Sequence, residues 1–314
     1  MPPPPALDCW FLTGPTAAGK TGVGVELARR IDAEIVSLDS MALYRGMDVG
    51  TAKPTPEQRG GVPHHLIDLI EPHEEFSLAG YIEAAVRCLA EIKARGREVL
   101  FVGGTPLYLK GLLRGIFEGP SADWDFRNRL AEEARQHEAE WLHRRLAEVD
   151  PASAARLHPN DTRRLIRALE VYEKTDRPIS AWQRQFDVGR EAEACRVFVL
   201  DWPRHELYAR IERRVDEMFS AGLVDEVRRL LAGPRPLSRT TRTAVGYREV
   251  IEHLAGRHGL AETIELVKRH TRQLAKRQGT WFRSLSECRF VPVEGRIDPV
   301  ELSRQIAAWG GSVD

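Results

Sequence analysis

Gly14-Pro15-Thr16-Ala17-Ala18-Gly19-Lys20-Thr21 connects a short apolar run, residues 9–13, to a segment of helical composition that ends near residue 30. The octapeptide matches the Gly-x-x-x-x-Gly-Lys-Thr pattern of phosphate-binding loops, in the strand–loop–helix context that the pattern requires. Its glycines allow several amide N–H groups to converge on one anion, and the N-terminus of the following helix adds partial positive charge. Lys20 adds a full charge, and the hydroxyl of Thr21 is a candidate ligand for Mg²⁺. The pattern predicts a site for a di- or triphosphate without identifying the compound.

Apolar runs alternate with helical segments on both sides of this loop. Strands are predicted at 9–13, 34–38, 65–70, 99–102, 196–200 and near 290–291. The run at 99–102 is continuous rather than alternating, which indicates a sheet that is covered on both faces. Strands separated by helices favour an α/β fold, with a mostly parallel sheet in a three-layer core like that of P-loop NTPases.

A segment of different character interrupts this alternation. Residues 120–184 have strong helical composition, many charges of both signs and no run typical of a strand. We therefore expect an all-helical insertion domain at 119–188, within a core formed by residues 1–118 and 189–314. Two units also agree with a length of 314 residues, at roughly 150 residues per domain.

The composition excludes several classes of protein. The chain carries 46 basic and 46 acidic residues, so its formal net charge is zero. The overall charge therefore gives no indication of a polyanionic partner. The cysteines are far apart, which argues against a zinc knuckle or a disulfide framework and fits a reducing cytosol; they are Cys9, Cys88, Cys195 and Cys288. No run approaches the roughly 18 apolar residues of a membrane span, and the N-terminal residues lack the cationic region of a signal peptide. We expect a cytoplasmic protein without membrane contact.

Polar residues follow the predicted strands at the edge where ligands bind in an open α/β sheet. Asp39 is either a Mg²⁺ ligand, as in a nucleotide kinase, or a general base beside the transferred group. A capping role in the loop is the alternative. Asp201 competes for the metal role, but Trp202-Pro203 after it favours a structural role, so Asp39 is preferred. Thr105 either orients a neutral polar group or caps the next helix.

Basic residues cluster near the C-terminal end of the chain. Residues 268–283 contain no acidic side chain and include Lys268, Arg269, Arg272, Lys276, Arg277 and Arg283. Their spacing places a cationic stripe on one helical face, with Trp281 and Phe282 at its end, a pattern that suits contact with a nucleic-acid backbone. A solvated face with Trp281 in the core is the alternative.

Two smaller basic groups lie elsewhere. Residues 163–167 form a second cluster, within the insertion. Arg210 and Arg214 are one helical turn apart, and they are either a second clamp on phosphate or partners of Glu206 and its neighbours.

Five further stretches combine with the loop at 14–21 into a known pattern. They are Asp-Ser-Met-Ala-Leu-Tyr-Arg-Gly-Met-Asp-Val-Gly-Thr-Ala-Lys-Pro (39–54), Val-Gly-Gly-Thr-Pro-Leu-Tyr (102–108), Asn-Asp-Thr-Arg-Arg-Leu-Ile-Arg-Ala-Leu-Glu (160–170), Val-Gly-Tyr-Arg (245–248) and Arg-Gln-Leu-Ala-Lys-Arg-Gln-Gly-Thr-Trp-Phe-Arg (272–283). In order over nearly the whole chain, they resemble the tRNA dimethylallyltransferase (IPP transferase) family. The lack of the zinc finger of eukaryotic members indicates the bacterial type. Ala18, Ala42, Pro106 and Gly279 depart from the usual family residues, and Ala42 stands where many members have a Gln that contacts the target base.

The resemblance implies a reaction. A dimethylallyl group moves from its diphosphate to the exocyclic amine of the adenosine 3′ of the anticodon, tRNA position 37, giving N6-isopentenyladenosine and pyrophosphate. It implies that residues 14–21, with Arg210 and Arg214, hold the diphosphate, and that Lys20 and a Mg²⁺ cofactor on Thr21 neutralise its charge. Asp39 is then the catalytic base, and Thr105 binds the adenine ring.

The resemblance also implies that the partner is tRNA, bound at its anticodon stem-loop. The protein is expected to be a monomer. The residues expected to contact the tRNA are Asp39, Ser40, Met41, Ala42, Thr105, Arg127, Arg163, Arg164, Leu165, Ile166, Arg167, Val245, Gly246, Tyr247, Arg248, Lys276, Arg277, Gln278, Gly279, Thr280, Trp281, Phe282 and Arg283. Two other functions stay open: a P-loop kinase of small molecules or nucleotides, and a non-catalytic nucleic-acid-binding module whose loop senses a nucleotide.

Overall fold

The chain divides into two compact units. The structure, a computed structural model, describes residues 6–116, 119–182 and 189–311. Residues 1–113 and 189–314 form the first unit, and residues 114–188 form the second. The second unit thus begins five residues before the expected boundary at 119. None of the helices in the described ranges is both long enough and apolar enough to cross a bilayer.

A parallel sheet of six strands forms the centre of the first unit. Its strands are β1 (Trp10–Thr13), β2 (Ala33–Ser37), β3 (His64–His65), β4 (Glu98–Val102), β5 (Val197–Asp201) and β6 (Cys288–Pro292). In space they lie in the order β3-β2-β4-β1-β5-β6, with every neighbouring pair parallel. All residues of β1 and β2 are buried, as expected for strands covered on both faces. The predicted α/β fold with a mostly parallel sheet is confirmed.

The predicted third strand is shorter than expected. Only His64 and His65 pair with β2, although the sequence predicts a strand over 65–70. Leu66 and Asp68 both have φ of 55°, a left-handed conformation that is incompatible with extended backbone. Ile70 instead forms an isolated parallel bridge with Tyr44, outside the six strands of the sheet. The prediction over 66–70 is therefore wrong.

The helices described before the insertion, within residues 6–116, are α1 (Lys20–Arg30), α2 (Pro56–Arg59), α3 (Leu78–Ala94) and α4 (Pro106–Arg114). The apolar side of α1, including Val23, Leu27 and Ala28, packs into the main core cluster. Because α1 follows β1, and β1 lies between β4 and β5, the loop that joins them sits near the middle of the sheet's carboxyl edge. Open α/β sheets bind ligands at this edge.

The second unit is helical wherever it has regular structure among its described residues. Its helices are α5 (Trp124–Gln136), α6 (Trp141–Val149), α7 (Pro151–Arg156), α8 (Thr162–Thr175) and α9 (Ile179–Trp182). Aspartates cap three of them: Asp123, Asp150 and Asp161 each accept a backbone N–H from the first turn of α5, α7 and α8. This unit has a core of its own, with Leu130, Leu146 and Leu169 among its buried residues.

The α8 segment corrects two expectations about tRNA contact. Leu165 is completely buried and Ile166 nearly so, because they form the apolar side of α8 in this core. Neither side chain is accessible to a tRNA in this fold. Arg163 and Arg164 lie on the opposite, exposed side of α8.

The buried carboxylate of Glu170 holds two other arginines expected at the tRNA. Arg127 donates from Nε and NH2 to the two oxygens of Glu170, at 2.8 and 2.7 Å. Arg167 also pairs with Glu170 and donates to the carbonyl of Pro120. Glu170 has no exposed surface, and these hydrogen bonds lower its pKa against the effect of burial. Arg127 and Arg167 therefore have a structural role within the unit.

The α-helices described after the insertion, within residues 189–311, are α10 (Arg204–Ser220), α11 (Leu223–Leu231), α12 (Arg239–Thr243), α13 (Tyr247–Leu254), α14 (Leu260–Arg283) and α15 (Pro299–Gly310). A short 3₁₀-helix at Ala192–Ala194 precedes β5. α10 packs against α14, and α15 packs against α1. The basic segment at 268–283 is the last two thirds of one long helix, as the spacing of its charges predicts.

Candidate active site

The loop between β1 and α1 has the backbone of an anion-binding turn. Gly14, Ala17 and Gly19 have φ of 141°, 63° and 87°. A side chain at Gly14 would place its Cβ 2.9 Å from the carbonyl oxygen of Leu200, so only glycine allows the loop to pass this close to β5. α1 begins at Lys20, and its first amide N–H groups have no partner within the helix. The helix N-terminus can therefore bind an anion.

The loop forms one end of a cavity of about 670 Å³ in the first unit. Residues from distant parts of the sequence line it together, including Lys20, Thr21, Asp39, Arg210 and Arg214. Its apolar wall includes Val49, Ala52, Ile67 and Met218. The cavity thus combines a cationic end, a carboxylate and an apolar surface.

Lys20 is bound to its own loop in this structure. Its Nζ donates to the carbonyl oxygens of Gly14 and Pro15, at 3.0 and 2.7 Å. Burial, with a smaller contribution from the charge of Arg214, lowers the pKa of Lys20 to about 7, and Asp39 opposes the shift. A bound diphosphate would favour the charged form.

Arg210 and Arg214 both line the cavity. Arg210 Nε donates to the carbonyl of Ala17 at 2.9 Å, and its guanidinium lies 4.3 Å from the ring centre of Trp202. Arg214 donates to the carbonyl of Thr51 at 3.3 Å. Burial lowers the pKa of both, with Asp39 opposing the shift at Arg214. Among the described residues neither guanidinium forms an ion pair with Glu206, and their role as a clamp on phosphate stays a prediction.

Asp39 is oriented by the turn that it begins. Its Oδ1 accepts the amide N–H groups of Met41 and Ala42, at 2.8 and 3.4 Å. The capping role considered for this residue is therefore present. The side chain also lines the cavity, and no donor within the described ranges bonds its Oδ2. The capping bonds fix the carboxylate while one oxygen stays available for chemistry.

Thr105 is held beside this turn. Its hydroxyl oxygen accepts the backbone N–H of Ser40 at 3.0 Å and donates to the hydroxyl of Ser40 at 3.4 Å. Its carbonyl accepts the N–H groups of Tyr108 and Leu109 at the start of α4. The described lining of the cavity includes Asp39 but not Thr105. Contact between Thr105 and an adenine stays a prediction.

A buried glutamate that the sequence analysis did not identify anchors the 39–54 segment. Glu226, on α11, accepts the backbone N–H groups of Asp48, Val49 and Gly50 at 2.9, 2.7 and 3.1 Å. It also accepts the hydroxyl of Tyr247 at 2.6 Å. Glu226 is 2% exposed. Its local sequence resembles an ordinary surface helix, so only the tertiary fold reveals this role.

Lys53 was missed for the same reason. Its Nζ donates to Asp48, Asp68 and the carbonyl of Tyr44, at 2.6, 2.6 and 2.8 Å. The side chain is buried, although lysine is almost never buried unless it is paired. Glu226 and Lys53 together fix the segment that supplies Val49, Thr51 and Ala52 to the cavity.

The segment at 245–248 has a mainly structural role. Tyr247 is 1% exposed, because its ring packs among apolar residues and its hydroxyl binds Glu226; the expectation that this side chain contacts tRNA is wrong. Gly246 is buried and donates its N–H to the buried Glu249 at 2.8 Å. Arg248 is half-buried and pairs with Glu249. Val245 is half-buried.

The end of α14 presents both exposed cations and core residues. Lys276, Arg277, Thr280 and Arg283 are exposed, whereas Gln278, Gly279 and Trp281 are half-buried. Phe282 has no exposed surface and packs in the core, so its expected contact with tRNA is wrong. Arg283 pairs with Asp201 at 3.1 Å, which gives Asp201 a structural partner, and Asp201 is not among the cavity's lining residues in the described ranges.

Other basic residues of α14 are paired within the first unit. Lys268 binds Asp216 at 2.8 Å, and Arg272 binds Glu212 at 2.7 Å, both on α10. In the part of the chain that the structure describes, Lys276 and Arg277 have no ion pair. Arg269 is also exposed and has no ion pair in these ranges, so the unpaired cations of the stripe are Arg269, Lys276 and Arg277.

Gln278 bridges two loops at the cavity. Its Oε1 accepts the N–H of Thr16 at 3.0 Å, and its Nε2 donates to the carbonyl of Gly104 at 2.7 Å. The side chain lines the cavity together with both loops.

The chemistry of the site fits magnesium held mainly by a phosphate ligand. Among the described residues, no three His, Cys, Asp or Glu side chains gather into a group able to hold a metal ion. Mg²⁺ usually keeps several waters and binds through one or two protein oxygens plus substrate phosphates. The Thr21 hydroxyl lines the cavity at the start of α1, where it could supply such an oxygen.

Comparison with known proteins places this site in a family. A family model described as IPP transferase matches residues 42–285. A tRNA dimethylallyltransferase of Rhodopirellula baltica is 51% identical over 290 residues, which cover 90% of this chain and 87% of that protein. The chain belongs to the tRNA dimethylallyltransferase (IPP transferase) family. The resemblance of the sequence motifs is thereby confirmed.

Solved structures of IPP transferases agree with this assignment. The tRNA isopentenylpyrophosphate transferase of Bacillus halodurans is 38% identical, with a TM-score of 0.69, and 97% of each chain is covered. The enzyme of Staphylococcus epidermidis is 33% identical, with a TM-score of 0.66, covering 95% of this chain and 98% of that one. These relatives are prenyltransferases, which supports that function over the kinase alternative.

Proposed function

We propose that this protein transfers a dimethylallyl group from dimethylallyl diphosphate to the exocyclic amine of the adenosine 3′ of the anticodon, tRNA position 37. The products are N6-isopentenyladenosine and pyrophosphate. The main support is the joint presence of Lys20, Arg214 and Asp39 along one cavity that also has an apolar wall. A diphosphate, a short hydrocarbon and a proton acceptor are what this reaction requires.

The cationic end of the cavity suits the leaving group. As the bond between the allylic carbon and the diphosphate oxygen breaks, its electron pair moves onto that oxygen. The N-terminus of α1, Lys20 and the two arginines lie where they can stabilise the growing negative charge. To do so, Lys20 would exchange the carbonyls of Gly14 and Pro15 for phosphate oxygens.

Asp39 suits the role of general base. The adenine amine is a weak nucleophile because its lone pair is delocalised into the ring. As the new bond between nitrogen and carbon forms, one amine proton must leave, and Oδ2 of Asp39 is the proposed acceptor. General-base assistance contributes roughly 10²–10⁴-fold. The bonds from Met41 and Ala42 to Oδ1 keep the carboxylate in place.

Thr21 and Mg²⁺ complete the diphosphate site in this proposal. The Thr21 hydroxyl would hold the ion against the phosphate oxygens, where the ion supplies positive charge to the leaving group. The Thr105 hydroxyl would bind the adenine in one of two ways. It would either use the hydrogen-bonding positions that the Ser40 N–H leaves open or become available when Ser40 moves away.

Exposed basic side chains supply the contacts proposed for tRNA. Lys276 and Arg277 on α14, and Arg163 and Arg164 on α8, are exposed and suit phosphate groups. The target base must leave its stack to enter the cavity, and an unpaired anticodon loop makes this easier.

The proposal is tested by incubating the protein with unmodified tRNA and dimethylallyl diphosphate that is labelled in its dimethylallyl group, and measuring the label transferred to the tRNA. We expect label in tRNA with the wild-type protein and labelling that is roughly 10²–10⁴-fold slower with the Asp39→Asn variant. A parallel reaction with γ-labelled ATP tests the kinase alternative, in which Asp39 would hold Mg²⁺ beside a nucleotide. Phosphate transfer from ATP without prenylated tRNA would refute the proposed function.

A further inference from the structure

Gln278 connects three segments that are far apart in the sequence. The side chain lies on α14, 262 residues from Thr16 and 174 residues from Gly104. Its Oε1 accepts from the amide of Thr16 in the phosphate loop, and its Nε2 donates to the carbonyl of Gly104 after β4. One partner is a donor and the other an acceptor, so the orientation of the carboxamide is fixed.

These bonds conflict with a role in reading a base. A glutamine that recognises a nucleotide presents its carboxamide to the base edge. Both polar atoms of Gln278 instead have backbone partners within 3.0 Å. The side chain is half-buried, whereas its neighbours Lys276 and Arg277 are exposed. We therefore expect the neighbouring cations, rather than Gln278, to make the tRNA contact of this segment.

Lys20 binds the same part of the phosphate loop. Its Nζ bonds the carbonyls of Gly14 and Pro15, while Gln278 bonds the next amide, that of Thr16. A Cβ added to Gly104 would lie 3.0 Å from Gln278 Nε2 and 3.5 Å from Lys20 Nζ, so the two side chains meet around this residue. Three consecutive loop residues are thus fixed by two side chains.

The two attachments differ in what a diphosphate does to them. The Lys20 ammonium is a strong partner for an anion, and it leaves the loop carbonyls when it binds phosphate. The carboxamide of Gln278 is neutral and binds an amide N–H and a carbonyl, so it can stay in place. After the anion binds, Gln278 is then the side chain that keeps residues 14–16 in position.

We infer that Gln278 is a positioning residue for the diphosphate: it holds the first half of the phosphate loop in its anion-binding conformation from α14. The inference rests on the proposed function, because it takes the ligand of the loop to be the diphosphate of the prenyl donor. It makes α14 a part of the donor site as well as a candidate surface for tRNA.

The test compares Gln278→Met with Gln273→Met, a matched change at an exposed glutamine of the same helix. Methionine keeps the length of the side chain but forms neither hydrogen bond. Binding of pyrophosphate with Mg²⁺ is measured by calorimetry without tRNA, and binding of the anticodon stem-loop is measured separately. We expect Gln278→Met to weaken pyrophosphate binding about tenfold, the effect of losing two hydrogen bonds, and to leave stem-loop binding unchanged. Gln273→Met should change neither.

Two further readouts distinguish positioning from a general loss of structure. Hydrogen exchange at the amides of Gly14 and of residues 16–18 should become faster in Gln278→Met, with exchange across α8 unchanged. The KM for dimethylallyl diphosphate should rise, with the KM for tRNA unchanged. Gln278→Glu, which keeps an acceptor for Thr16 but adds negative charge at the cavity, should weaken pyrophosphate binding at least as much.

The possible results separate this inference from the function on which it rests. If the wild type binds pyrophosphate and both Gln278 variants bind it equally well, the positioning role is wrong. If only stem-loop binding weakens, Gln278 contacts tRNA instead. If the wild type does not bind pyrophosphate, the proposed donor site is wrong, and this inference fails with it.

Discussion

The carboxylate of Glu226 accepts a hydrogen bond from the hydroxyl of Tyr247 at 2.6 Å, and both side chains are buried. The same carboxylate accepts three consecutive backbone N–H groups, those of Asp48, Val49 and Gly50. The wall of the cavity at 48–52 therefore depends on an ionised group in the protein interior. Four donors converge on it, and this satisfies a charge that would otherwise be strongly unfavourable there.

Replacing Glu226 tests this dependence. Glu226→Gln places an NH₂ group against at least one N–H donor, and we expect the free energy of unfolding to fall by about 2–3 kcal/mol. Tyr247→Phe is the matched control, because it removes only one of the four donors and should lower that free energy by about 1 kcal/mol. Calorimetric melting of both variants measures the difference. Equal, small shifts would show that Glu226 does not anchor the loop.

Asp39 offers a direct test of the chemistry. Asp39→Asn keeps an oxygen that can accept from Met41, so the turn should remain while the base is lost. We expect turnover to fall by roughly 10²–10⁴-fold with tRNA affinity unchanged. Asp201→Asn is the control, since Asp201 also ends a strand but pairs with Arg283. Lost tRNA binding together with normal turnover of bound substrate would contradict the assignment of the base.

The lowered pKa of Lys20, about 7, predicts a pH dependence of anion binding. In the free protein the ammonium loses its proton as the pH rises through this value, so pyrophosphate affinity should fall between pH 6 and pH 8, by up to about tenfold. In Lys20→Arg this fall in pyrophosphate affinity should be absent, because a guanidinium stays charged across the range. Calorimetry of both proteins across this range gives the difference, and identical pH profiles would exclude a titrating Lys20.

The same pKa shift affects folding. Unfolded lysine titrates near 10.4, so between pH 7 and that value the unfolded chain binds more protons than the folded one. The contribution of Lys20 to stability should therefore increase with pH across this window. In Lys20→Met the free energy of unfolding should rise less steeply with pH between pH 7 and 10.4. If its dependence on pH is the same as in the wild type, the pKa of Lys20 is not lowered in the folded protein.

Lys276 and Arg277 should carry phosphate contacts. Alanine at either position is expected to weaken tRNA binding and to lower the slope of log K against log salt concentration by about one. Arg87→Ala provides a control at an exposed arginine on α3. If the salt dependence of tRNA binding in both variants equals that of Arg87→Ala, Lys276 and Arg277 do not contact the phosphates of tRNA.

Much of the fold could be predicted because its signals are local. The buried run at 99–102, the glycines at 14 and 19 and the helical spacing of 268–283 depend on neighbouring residues only. The prediction of a strand at 65–70 was wrong because Leu66 and Asp68 have left-handed backbone angles. Nothing about a leucine or an aspartate side chain indicates such angles from the sequence. Local patterns did not predict this backbone.

The candidate site was partly predictable for a related reason. Lys20 and Asp39 belong to motifs, and the structure brings them to one cavity. Glu226 acts on a segment about 178 residues earlier, so no nearby pattern indicates it. Tyr247, Leu165 and Phe282 lie in motifs that the resemblance assigned to tRNA, but their apolar side chains are needed for packing. A motif marks a segment, and burial then decides which of its residues can reach a ligand.

Mass spectrometry of nucleosides from tRNA, before and after incubation with the protein and dimethylallyl diphosphate, tests the central claim most directly. We predict N6-isopentenyladenosine next to the anticodon, formed in equal amount to the pyrophosphate released. Adenosine that remains unmodified in a tRNA that the protein demonstrably binds, with the prenyl donor intact, would contradict it.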